Sequence, residues 1–149
     1  MPPSPPPRKK AVTQPLAKPI KILFVCVGNA CRSQMAEALA NHLGAGRVEV
    51  SSAGLYPFGE IVEETYAAMS QKGISLEHQC SKGLNDVAVA DMDIVVNMGP
   101  EIRCPLPADY KGRVVDWKIP DPFGSSREFF QKVRNMIEEN VQALLVSLK

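Results

Sequence analysis

The chain of 149 residues is 45% hydrophobic and 22% charged, a balance that fits one globular domain with a sizeable core. It contains no apolar run approaching the ~20 residues of a membrane-spanning helix and no hydrophobic segment behind a basic start, so a membrane span and a signal peptide are excluded and a cytoplasmic protein is expected. The four basic residues Arg8, Lys9, Lys10 and Lys18 stand in a first segment without acids, which leaves a mildly acidic body and argues against nucleic acid as its partner.

Four cysteines, at 26, 31, 80 and 104, are too few for a disulfide framework in a chain this rich in core residues. They form no C-x2-C pairs beside spaced histidines, so the expectation is reduced thiols with chemical roles and no metal or other cofactor.

In chain order, residues 1–18 are proline-rich and basic and read as a disordered tail, with the domain over 19–149. "IKILFVCV" is a short β-rich apolar run suited to a parallel strand buried on both faces. "SQMAEALANHL" spaces Met35, Leu39 and Leu43 four apart beside Ala36 and Ala40, which predicts a helix stopping at Gly44. "RVEVSSAG" reads as a second strand. "EIVEETYAAMSQKG" predicts a helix ending at Gly73. "GLNDVAVAD" predicts a short helix, "MDIVVNM" a strand, and "GRVVDWKIPDPFG" a last strand and a loop. The final 25 residues carry Phe130, Val133, Ile137, Val141, Leu144 and Leu148 on one stripe, with Ser125 or Ser126 as cap. This β-α-β alternation predicts a three-layer α/β/α sandwich around a parallel sheet of about four strands.

Ligands in such folds bind where strand carboxyl ends meet helix amino termini. Cys26 closes the first strand and Arg32-Ser33 opens the following helix. The loop between them, Val27, Gly28, Asn29, Ala30 and Cys31, is short enough for its N–H groups to converge on an anion. Gly28 permits close backbone approach, Asn29 tolerates the left-handed conformation, and Arg32 adds a bidentate charge. The same field favours the thiolate of Cys26, a nucleophile aimed at a tetrahedral oxyanion, and Ser33 can donate to that sulfur.

Cys26-x5-Arg32-Ser33 matches the C-x5-R-S signature of the protein tyrosine phosphatases, and "VCVGNACRSQMAEAL" resembles the low-molecular-weight branch in particular. "SSAG" at 51–54, "GISLEHQCSKGL" at 73–84 and the late "IPDPFG" at 119–124 are similar to landmarks of that family, so the resemblance covers residues 20–147. It implies a phosphatase I-like fold. It also implies that Cys26 attacks phosphorus, that the loop amides and Arg32 hold the equatorial oxygens, and that Asp121 protonates the leaving group and then activates water. It further implies that Ser33, Ser52 and His78 hydrogen-bond around the loop with Asn29 as hub. Tyr56, Phe58 and Phe123 are candidate walls for an aromatic substrate ring.

Gln34 follows Arg32-Ser33 where the phosphatases usually have proline, and "CRSQMAEAL" resembles thiol-dependent arsenate reductases of the same fold. Those enzymes release arsenite by forming a disulfide with further cysteines and draw electrons from thioredoxin or glutaredoxin. Cys31, Cys80 and Cys104 are the candidates for that role. The reductases carry a thiol pair just after the strand matching "DIVVNM", whereas this chain has Gly99-Pro100 there and Cys104 further on. Cys31 is alternatively a redox guard for Cys26. The leading expectation is a metal-free phosphatase acting on phosphotyrosine, in a protein or a small aryl phosphate. The alternatives are an arsenate reductase and a non-catalytic phosphate- or phosphopeptide-binding module.

Overall fold

The structure is a computed structural model that describes residues 18–148. The tail expected over 1–18 falls, apart from Lys18, outside the described residues. Four strands, β1 (Ile20–Cys26), β2 (Val48–Gly54), β3 (Ile94–Asn97) and β4 (Arg113–Asp116), form one wholly parallel sheet in the order β2-β1-β3-β4. Three α-helices accompany it: α1 (Arg32–Leu43), α2 (Glu63–Ser70) and α3 (Arg127–Ser147). This is the α/β class with the parallel central sheet that the alternation predicts.

The apolar run of β1 has no polar face because β1 is a central strand. Ile22, Phe24 and Cys26 point into one core, Leu23 and Val25 into the other, and Ile22 through Val25 are fully buried. The larger core is closed by Met35, Ala36 and Leu39 of α1, Ala68 and Met69 of α2, and Phe130, Val133, Ile137 and Val141 of α3. Ser126 caps α3 by accepting from the Phe129 N–H at 3.2 Å. α2 ends at Ser70, earlier than the expected stop at Gly73, and Gly73 takes φ +71° in the turn that follows, its N–H donating to Ser70 O at 2.9 Å.

The other face of the sheet is covered by turns and loop. The short helix expected over 83–91 is replaced by two 3-10 turns, Leu84–Asp86 and Val89–Asp91, with Val87 extended between them. Leu84, Val87, Val89 and Met92 all pack on the smaller core. Their spacing of three, two and three residues does not fit a single α-helical stripe, and two short turns turn all four inward.

β2 lies on one side of β1 and β3 on the other, so the direction of winding reverses at β1. The carboxyl ends of β1 and β3 open the crevice in which folds of this kind hold their ligands. Cys26 is the last residue of β1 and pairs in register with Gly54 at the end of β2.

Candidate active site

The loop from Cys26 to Arg32 is turned so that its carbonyls face outward. Leu55 N–H donates to Cys26 O at 3.0 Å, Tyr56 N–H to Val27 O at 2.8 Å, and Phe58 N–H to Gly28 O at 2.8 Å. Gln34 Nε2 donates to Asn29 O at 3.0 Å and Thr65 Oγ1 to Ala30 O at 2.8 Å. With the carbonyls engaged outside, the N–H groups of Gly28, Ala30, Cys31 and Arg32 have no protein acceptor among the described residues, the arrangement of an anion-binding nest at a helix amino terminus. The segment that receives the carbonyls must approach closely. A Cβ on Gly54 would stand 2.6 Å from Val27 O, so only glycine fits there.

Asn29 holds the loop in shape from beneath. It is fully buried and takes φ +52°, the left-handed conformation expected of it. Its Nδ2 donates to Ser33 Oγ at 2.7 Å and Ser52 Oγ at 3.0 Å, and its Oδ1 accepts from Gln34 Nε2 at 2.9 Å and Lys82 N–H at 2.8 Å. Ser33 Oγ lies 2.9 Å from Cys26 Sγ. Because that hydroxyl accepts from Asn29, its own hydrogen is available to the sulfur. Ser52 continues the chain outward by donating to Glu37 Oε1 at 2.5 Å. Burial pushes the Glu37 carboxyl up, with the Ser52 hydrogen bond and the Lys82 charge pulling back less strongly.

Arg32 is buried and reaches the two loops that follow β3 and β4. Its Nη1 donates to Met98 O at 3.2 Å and Ile119 O at 2.9 Å, and its Nη2 to Glu101 Oε2 at 2.8 Å. Asp121 Oδ2 stands 3.7 Å from the same Nη2, and its Oδ1 accepts from Phe123 N–H at 3.0 Å. Gly99 makes room for the guanidinium, since a Cβ there would lie 2.2 Å from Nη1.

These groups surround one cavity of about 190 Å³. Its floor is the loop with Cys26, Cys31 and Arg32, its side carries Asp121, and its mouth is framed by Tyr56, Phe58 and Phe123. Phe58 and Phe123 meet edge to face, with ring centroids 5.3 Å apart. A thiol, a nest of amides, one cation and one acid around a space of this size can hold a tetrahedral oxyanion over a sulfur nucleophile and pass protons to or from it.

The structure thus brings together Cys26, Val27 to Ser33, Asp121 and the three aromatics, and it places Ser33 and Ser52 on Asn29 as expected. It does not bring His78 there. His78 is exposed and borders a separate depression beside α1 with Asn41 and His42. The support expected of it comes from amides: Gln34 bonds Asn29, Gln79 Nε2 donates to Gln34 Oε1 at 2.7 Å, and the Lys82 N–H completes the set. Two of the candidate redox thiols also lie elsewhere. Cys80 is exposed and contributes only its carbonyl, which accepts from Gln34 Nε2 at 2.9 Å. Cys104 is buried in the smaller core behind the sheet, where burial pushes its thiol up. Cys31 alone shares the cavity with Cys26, and burial pushes its thiol up to about 12 against the opposing hydrogen bond to Thr65. Glu37, Gln79, Glu101 and Gly99 carry no local motif. Their roles come from contacts across 15 to 69 residues of chain.

Fold and loop together define an anion nest with a cysteine on its floor, built at the switch point of a parallel sheet. The chain belongs to the low-molecular-weight phosphotyrosine protein phosphatase family, whose model matches residues 21–149. A glutaredoxin arsenate reductase from Synechocystis is 35% identical over 131 residues, 86% of this chain and 98% of that protein. A solved arsenate reductase in the phosphate binding state superposes with a TM-score of 0.78 at 34% identity, covering 87% of this chain and 99% of that one. The tyrosine phosphatase AmsI from Erwinia amylovora follows with a TM-score of 0.73 at 26% identity, over 85% of this chain and 91% of its own. The similarity to arsenate reductases exceeds that to the phosphatase, and so favours the alternative reading of the sequence over the leading one.

Proposed function

We propose that the chain is a thiol-dependent arsenate reductase in which Cys26 is the nucleophile and Cys31 the second thiol. The observation that carries this reading is the placing of Cys31 in the cavity of Cys26, with Cys80 and Cys104 outside it. The similarity to arsenate reductases over almost the whole chain supports the same choice.

The Cys26 thiolate attacks arsenic of HAsO4 dianion, and one oxygen leaves as water with a proton from Asp121. The loop amides and Arg32 hold the remaining oxygens of the sulfur-bound arsenate. Cys31 sulfur then attacks Cys26 sulfur. The sulfur–arsenic bonding pair departs with arsenic, which falls from the pentavalent to the trivalent state while the two sulfurs are oxidised to a disulfide. The Cys31 proton passes to the departing arsenite, as a thiol held protonated by burial requires. An external dithiol of the glutaredoxin or thioredoxin kind restores both thiols by two exchanges.

A second reading, hydrolysis of aryl phosphates, is favoured by Asp121 beside Arg32 and by the aromatic mouth. In it the same loop holds phosphorus, and Asp121 protonates the leaving phenolate and then activates water.

One set of assays decides between them. Arsenate reduction with a glutaredoxin or thioredoxin system, and p-nitrophenyl phosphate hydrolysis, are measured for wild type and for Cys26→Ser, Cys31→Ser, Cys80→Ser, Cys104→Ser and Asp121→Asn. The reductase reading expects arsenate turnover lost in Cys26→Ser and Cys31→Ser and retained in Cys80→Ser and Cys104→Ser. Ester hydrolysis without arsenate turnover, abolished by Asp121→Asn, establishes the phosphatase. Arsenate turnover that survives Cys31→Ser and fails in Cys104→Ser removes Cys31 from the mechanism.

A further inference from the structure

Among the described residues Arg32 is the one cation lining the cavity, and its contacts divide into those that fix its position and one that carries charge. Position is set by Nη1, held between the main-chain oxygens of Met98 and Ile119 on two separate loops. Charge comes from Glu101, whose Oε2 accepts from Nη2 at 2.8 Å. Asp121 does not duplicate this contact: it stands 3.7 Å away and its Oδ1 is engaged by Phe123 N–H.

Glu101 is presented by a built turn. Ile102 N–H closes on Gly99 O at 3.0 Å, and the fully buried Ile102 anchors the turn in the smaller core. Gly99 leaves the space in which the pair meets, for a Cβ there would stand 2.2 Å from Arg32 Nη1 and 2.6 Å from Glu101 Oε1. The two partners are unequally buried. The side chain of Arg32 is 2% exposed and that of Glu101 47%, so the carboxylate has solvent to move into and the guanidinium does not.

A buried guanidinium needs a counter-charge; with Nη1 committed to two carbonyls, an oxyanion over the loop is left Nε and Nη2, and Nη2 is the nitrogen that Glu101 occupies. We infer that Glu101 is an exchangeable counter-ion, which neutralises Arg32 in the free enzyme and is displaced into solvent when a dianionic oxyanion takes its place. Its charge lowers affinity for the oxyanion and speeds release of an anionic product. Burial pushes the Glu101 carboxyl up, but the hydrogen bond and charge of Arg32 outweigh it and hold the group below the usual carboxylate range, so the counter-ion is charged at neutral pH. The inference rests on the loop being an oxyanion site and holds equally for arsenate and for phosphate esters.

Inorganic phosphate is the probe, titrated calorimetrically into the full chain as wild type, Glu101→Gln, Glu101→Ala and Asp109→Asn. Asp109 borders a different cavity and makes the same change of net charge. The expected result is a Kd about tenfold lower in both Glu101 variants, for a half-exposed charge a few ångströms from the bound anion, and no change in Asp109→Asn. In thermal unfolding, Glu101→Gln is expected to melt below wild type without phosphate and to gain more from saturating phosphate than wild type does. A purely structural role lowers both melting points alike. Unchanged or weaker phosphate binding in Glu101→Gln overturns the counter-ion role. Absence of phosphate binding by the wild type overturns the oxyanion site and this inference together.

Discussion

Asn29 Nδ2 donates to Ser33 Oγ at 2.7 Å, and that hydroxyl lies 2.9 Å from Cys26 Sγ. The Cys26 thiol is therefore oriented by a residue three positions away that does not line the cavity. The same amide fixes Ser52, Gln34 and the Lys82 N–H, so one buried side chain ties the loop to β2, α1 and the segment before the 3-10 turns.

Asn29→Ala strands four polar partners, three of them buried, and puts a Cβ residue without a compensating side chain at φ +52°. The expected loss of stability is about 3 kcal/mol by urea unfolding, with turnover reduced at least about a hundredfold. Asn29→Gly loses the same hydrogen bonds without the left-handed strain and should recover about 1 kcal/mol of the deficit. Equal stability of the two variants would show that the backbone there relaxes freely.

Gly99→Ala tests the space given to Arg32. The new methyl would collide with Nη1 at 2.2 Å, and the neighbouring Ile119 O at 3.2 Å gives it little room to turn aside. Overpacking of this kind costs about 2 kcal/mol. The displaced guanidinium should weaken phosphate binding by about tenfold, read by calorimetry. Wild-type affinity in this variant would mean that Arg32 does not hold the anion from its observed position.

Glu37 makes stability depend on pH in a stated direction. Burial holds its carboxyl protonated to higher pH in the folded chain than in the unfolded one. Below about pH 3 both states are protonated and the group contributes nothing. As pH rises through the unfolded value and on to the raised folded value, the unfolded chain releases its proton first and stability falls, and above that window the cost is constant. Glu37→Gln keeps an acceptor for Ser52 and removes the titration. Its melting temperature should match wild type in acid and exceed it at pH 7, and a neutral-pH melting point below wild type would contradict the argument.

The aromatic mouth separates ring recognition from oxyanion recognition. Phe58 is 52% and Phe123 51% exposed, so truncating either leaves the core intact. Phe58→Ala and Phe123→Ala should each raise KM for an aryl phosphate by about fivefold, the worth of one edge-to-face interaction with a substrate ring. The Kd for inorganic phosphate should stay within about twofold of wild type. A parallel drop in phosphate affinity would show that the rings shape the loop rather than the substrate.

Much of this was legible along the chain. An unbroken apolar run and the 3.6-residue stripe are local, so β1, α1 and α3 could be read directly, as could the loop between a strand ending in Cys26 and a helix opening with Arg32-Ser33. The segment 83–91 misled because its apolar residues answer to one sheet face and not to a helical repeat. His78 misled because hydrogen bonding around Asn29 is set by which polar groups reach it in space, and Gln34, itself held by Gln79, does so.

The sequence by itself determined the class of site, since a thiol, a nest-forming loop and an arginine within seven consecutive residues fold together wherever their strand and helix lie. Only the tertiary structure decided what surrounds it. It set Glu101 and Asp121 beside Nη2 of Arg32, put Cys31 in the cavity and Cys104 behind the sheet, and joined Glu37 to Cys26 through Ser52, Asn29 and Ser33. The physical reason is range. A short loop's conformation follows from its own residues, whereas a buried charge or thiol takes its chemistry from neighbours that the winding of the sheet delivers from distant parts of the chain.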